Sequence, residues 1–258
     1  MTTAILQFTV QVLILALGVL AASVARGRGG MPAIHRMAWT LVAVFFLWRG
    51  VPGVAQSIAA FWALAAGKGS DTWTWFVEWG PAMNHTRTLV SVAMGWTLAS
   101  LPLLRGQPVP RLWAGASLAC LLLAATGAYI GWQEGATGPL HLASLSILGA
   151  VEVVGLLVAL LVAMFADTLD RYLWLVLGIC AVHVALNVVW YSASMGIFYP
   201  GSWHPPLQVR HLYSAVSYLG GCFLAWQRLS LLRRGVRVGG LMEIAGPEMV
   251  QAQRFRGY

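Results

Sequence analysis

Seven runs of mostly apolar residues, at 4–25, 37–65, 86–104, 112–133, 141–165, 172–192 and 209–229, take up most of this chain. A helix needs about 20 such residues to cross the hydrocarbon of a bilayer. Charged residues make up only 9% of the sequence against 59% hydrophobic, where a soluble chain carries about 25% charged. A water-soluble core cannot hide that much apolar surface, and a bilayer can. The expected fold is therefore all-α: a polytopic integral membrane bundle of seven transmembrane helices over 1–238, with a cytoplasmic C-terminal tail over 239–258.

The net charge of +8 is explained by its distribution. With the N-terminus outside and the C-terminus inside, the inner segments hold Arg26, Arg28, Arg36, Arg105, Arg111, Arg171, Arg228, Arg233, Arg234, Arg237, Arg254 and Arg256. The outer segments hold only Lys68, Arg87 and Arg210. That asymmetry follows the positive-inside rule, so the excess charge sets topology and removes a nucleic-acid partner from consideration. The basic stretch 228–237 would add affinity for anionic lipid. No positive charge precedes the first run and Arg26 and Arg28 follow it, the reverse of a cleavable signal peptide, so it is expected to stay as an anchor. Cys120, Cys180 and Cys222 lie in apolar runs without CxxC spacing and read as small buried hydrophobes. The expected location is a bacterial inner membrane.

Ionisable residues inside the runs are costly to keep and mark candidate sites. Arg49 lies about 18 Å from the inner end of the second run and Glu152 about 16 Å from the outer end of the fifth, at 1.5 Å per residue. Both fall near the midplane. His183 and Asn187, four apart, share one face of the sixth. This cluster of Arg49, Glu152, His183 and Asn187 fits two readings. One is a proton path or the polar centre of a small transporter or sensor. The other is a structural Arg49–Glu152 pair, with His183 bonded to Asn187 or backbone.

A second set shares the outer side. His85, His141, His204 and His211 fall at outer helix ends or in outer loops with Asp71, Glu78 and Glu134, and could supply ligands to copper, zinc or a haem iron. Their spacing is that of no compact metal motif, and interfacial histidines bonding headgroups and helix starts are the plain alternative. Trp73, Trp75, Phe76 and Trp79 read as an interfacial girdle, on a short helix lying along the surface. A retinal protein is excluded, since the only lysine is Lys68, outside the last run.

The long outer loop 195–211 carries Gly196, Ile197, Phe198, Tyr199, Pro200, Gly201, Ser202 and Trp203. This stretch resembles the G-L-x-F-Y-P-G-N-W segment in the A subunit of copper membrane monooxygenases, and Asp71 to Trp79 is loosely similar to that family's tryptophan- and aspartate-rich segment. Ser202 stands in place of the asparagine, the Asp-Trp opening of the second motif is missing, and so is the family's long outer insertion before the last helix. The resemblance implies an accessory, scaffolding and substrate-access subunit of a membrane oxidoreductase, with other membrane subunits as partners and copper held mainly by them. It does not itself make His204 or His211 a copper ligand. A haem b- or quinone-binding subunit of a respiratory or photosynthetic complex is the alternative within redox chemistry.

Overall fold

The computed structural model describes residues 2–27, 31–67, 70–105, 111–134, 140–194 and 206–236. Among them are seven α-helices: α1 Thr2–Ala25, α2 Ala33–Ala66, α3 Asp71–Ala99, α4 Arg111–Glu134, α5 His141–Ala166, α6 Arg171–Ser194 and α7 Leu207–Arg233. A 3₁₀ turn, Leu101–Arg105, follows α3, and no strand occurs among the described residues. Within α1, α2, α5 and α6 lie segments long and apolar enough to cross a membrane. The residue distribution agrees with a membrane-embedded protein: His35, Ser91, Glu152, Asp170, His183 and Arg228 are buried, whereas Val44, Trp48, Trp62, Leu122, Val182 and Val216 are exposed.

The helices close a ring. α1 packs on α2, α2 on α3, α3 on α5, α5 on α6, α6 on α7, and α7 back on α1, while α4 packs against α3 and α5. The ring is filled by one apolar cluster that includes Ile14, Leu17, Trp39, Phe46, Leu173, Leu177 and Tyr218. A smaller cluster, Val92, Trp96, Ala124, Leu148 and Val151, seats α4.

Lipid tails are as apolar as leucine, so close backbone approach takes the place of the hydrophobic drive between such helices. The α1–α2 crossing depends on it. A β-carbon built on Gly50 would lie 2.8 Å from the backbone of Leu15, and one on Gly18 would lie 2.9 Å from the Leu47 nitrogen. Gly50 therefore does more than loosen the helix ahead of Pro52, which lies inside a continuous α2.

α3 departs from expectation. Residues 71–79 belong to one long helix with the third apolar run rather than to a separate surface helix. Its start is fixed by Ser70, whose side chain accepts from the Trp73 backbone N–H at 3.2 Å, with Asp71 in the first turn. Such a cap stabilises the helix where its orphan N–H groups need partners.

Candidate functional site

Between α1, α2, α3, α6 and α7 lies a cavity of about 190 Å³. Its wall is polar: Gln7 and Gln11 from α1, Arg49 and Gln56 from α2, Arg87 from α3, His183 and Asn187 from α6, and Arg210, His211 and Ser214 from α7. Val10, Ile14, Leu207 and Tyr218 complete it.

At the floor, Arg49 Nη1 donates to Ser91 Oγ at 2.9 Å and reaches Glu152 Oε1 at 3.5 Å. Glu152 is buried on α5, whereas the Arg49 side chain keeps 22% of its surface open. The sequence places both near the midplane, and the fold sets them against each other. Because the pair is near the limit of hydrogen-bond length and Arg49 keeps part of its surface open, its loss should cost about 1.5–3 kcal/mol, the range for a hydrogen bond to a charged group. Glu152→Gln is expected to destabilise the bundle by that amount, and adding Arg49→Met should recover part of it. Unfolding of the two variants and their double in mild detergent checks this; strictly additive effects would show that the two side chains do not act as a pair.

One amide organises the opposite wall. Asn187 Oδ1 accepts from Arg210 Nε at 2.9 Å and from Tyr213 OH at 3.2 Å. An arginine can only donate, so the atom facing it is the oxygen, and the Asn187 NH₂ points at His183 Nε2, 2.9 Å away. His183 Nε2 then accepts, and the ring carries its proton on Nδ1. Arg210 Nη2 also donates to Tyr191 OH at 2.6 Å, and its guanidinium lies 5.2 Å from the Trp190 ring centre and 4.8 Å from that of Tyr191. The Tyr218 ring stands 4.9 Å from His183. Across the cavity Arg87 donates to Gln56. Among the described residues, the buried wall atoms without a protein partner include Gln11 Oε1, His183 Nδ1 and His211 Nε2.

A second polar cluster ties the Arg-rich end together. Asp170 Oδ1 accepts from the backbone N–H groups of Tyr172 and Leu173 at 3.1 and 3.0 Å, capping α6. Its Oδ2 accepts from Trp39 Nε1 at 2.8 Å and Arg228 Nε at 2.9 Å. Nearby, His35 donates to the Asp167 carbonyl at 3.0 Å, at a residue held in left-handed backbone with φ 47°. One carboxylate thus joins α2, α6 and α7, and both it and Arg228 are fully buried. With each carboxylate oxygen engaged, this is an anchor.

Of the outer histidines, His211 lies in the cavity wall and is buried. His85 and His141 fall within α3 and α5, but their side chains lie outside the described residues, as do His204 and the family-like stretch Phe198, Tyr199, Pro200, Gly201 and Trp203. Among the described residues no group of three or more His, Cys, Asp or Glu side chains could hold a metal ion. Arg87 and Arg210, expected among the outer charges, have side chains that reach into the bundle. For Asp170 and Arg228 no role is expected from sequence beyond polarity and topology. Arg228 carried a signal, because it precedes the end of α7 by more than a turn. No family model, curated protein or solved structure matches this chain.

Proposed function

We propose that this chain is a seven-crossing membrane protein whose central cavity binds a small polar solute, as a carrier or a receptor. The observation that carries this reading is the convergence of Arg49, Arg87 and Arg210, from three different helices, on one cavity whose wall also holds buried polar atoms without protein partners. A bundle that needed only to be stable would gain little from them, since intramembrane charges cost several kcal/mol to keep. A structural pair accounts for Arg49 and Glu152 and leaves Arg210 unexplained.

The seventh crossing is supported by α7 itself. Val209, Leu212, Val216, Leu219, Phe223 and Trp226 are all exposed along one side of that helix. From Val209 to Trp226 is seventeen helical steps, about 26 Å at 1.5 Å per residue. The arginine distribution supports an outside N-terminus and an inside C-terminus, and an inner membrane of a bacterium is the setting this reading takes.

Thermal unfolding of the purified protein with a panel of small anionic, neutral and cationic solutes tests the reading. At least one class should raise the midpoint, and the cavity-filling Ser214→Phe should abolish the rise. No rise with any solute would count against it.

The copper membrane monooxygenase A subunit remains a second proposal on the strength of 196–203 alone. Metal analysis, optical spectrum and partner content after gentle extraction test it. Copper with co-purifying membrane subunits supports it, and a b-type band on reduction supports the haem alternative.

A further inference from the structure

The excess of donors over acceptors in the cavity identifies the class of solute. Resting on the solute-binding reading above, we propose that the ligand is a small anion with a carboxylate or comparable oxyanion head, bound beside Arg210 and His183. Arg210 is held by neutral groups only: the Asn187 amide oxygen, the Tyr191 hydroxyl and two aromatic faces. Among the described residues no carboxylate pairs with it, and the one acid at the cavity floor, Glu152, is engaged by Arg49. These contacts orient the guanidinium without neutralising it.

His183 adds a second donor. Because Asn187 donates to its Nε2, the proton sits on Nδ1, a buried atom with no protein acceptor. A guanidinium oriented but uncompensated, beside an imidazole N–H lacking an acceptor, suits a ligand head group that only accepts. Gln11 Oε1, a wall acceptor without a protein partner, leaves room for a hydroxyl on the tail of the same ligand. The cavity of about 190 Å³ has room for roughly six waters' worth of liquid at about 30 Å³ each, so the ligand is a few heavy atoms in size.

The experiment compares three probes of similar size on the purified full chain at constant chloride: propionate, propionamide and propylammonium. Propionate should raise the unfolding midpoint and the other two should not. Arg210→Gln should weaken the apparent propionate affinity by about tenfold or more, in keeping with the loss of a charge-assisted hydrogen bond. An equal rise with propionamide or propylammonium, or undiminished propionate affinity in Arg210→Gln, would overturn the anion assignment and leave solute binding standing. No rise with any probe would overturn both.

A measurement free of the Arg210 variant's folding uses Ser214→Cys, with Cys120, Cys180 and Cys222 changed to Ser. A negatively charged methanethiosulfonate should modify it faster than a positively charged one by about tenfold, each rate normalised to a free thiol, as expected where a positive potential raises local anion concentration. Parity or reversal would refute an anion-selective cavity, and no reaction with either would refute an accessible one.

Discussion

Asp170→Ala should lower the stability of the bundle by about 3–5 kcal/mol, the cost of stripping one partner from a buried ion pair. The carboxylate has four engagements, two with the start of α6, one with Trp39 and one with Arg228. Its removal strands a fully buried guanidinium and an indole N–H and also takes the cap from α6. Restoring apolarity on the other side separates these contributions. Asp170→Ala with Arg228→Leu should recover much of the loss, because the uncompensated charge is then gone, whereas Asp170→Asn should retain the cap and lose the ion pair. Reversible unfolding in detergent measures all three. A double variant no more stable than Asp170→Ala would mean that capping, not charge burial, dominates.

The second large effect comes from adding a single methyl. Gly50→Ala places a β-carbon 2.8 Å from the backbone of Leu15, where no flexible side-chain end can yield. α1 and α2 must move apart, and the cost should reach about 1–3 kcal/mol, as for overpacked cores. The direction opposes intrinsic preference, since alanine in a helix interior is favoured over glycine by about 0.5–1 kcal/mol. Gly178→Ala supplies the comparison: nothing lies within 4 Å of its added carbon, so the change should be neutral or mildly stabilising. If both substitutions behave alike, the backbone approach at Gly50 is not what holds α1 to α2.

These residues also show where sequence reasoning stops. Arg49 and Glu152 could be placed at one depth because helical rise is constant, and the fold brings them within 3.5 Å. His183 and Asn187 followed from four-residue spacing for the same reason. Asp170 and Arg228 are fifty-eight positions apart, and no local periodicity encodes their meeting. Arg87 and Arg210 were counted outside because charge near a helix end ordinarily faces water; here long side chains carry the charge inward, to Gln56 and Asn187. The existence and approximate ends of all seven helices were legible, apart from the early start of α3. Their arrangement was not. Helices apolar on every side give no stripe to say which face meets protein and which meets lipid, so the ring of six with α4 against α3 and α5 is a property of packing alone.

That ring has a consequence for assembly order. Its closure depends on contacts between α1 and α7, the first and last of the described helices. Until α7 is in place there is no Arg210, His211 or Ser214 to wall the cavity, and Asp170 has no guanidinium to meet. Without α7 the other helices leave that side of the ring open, with Asp170 lacking its Arg228 partner. α7 is the keystone: it completes the cavity wall, pairs with that acid, and turns a row of helices into a ring.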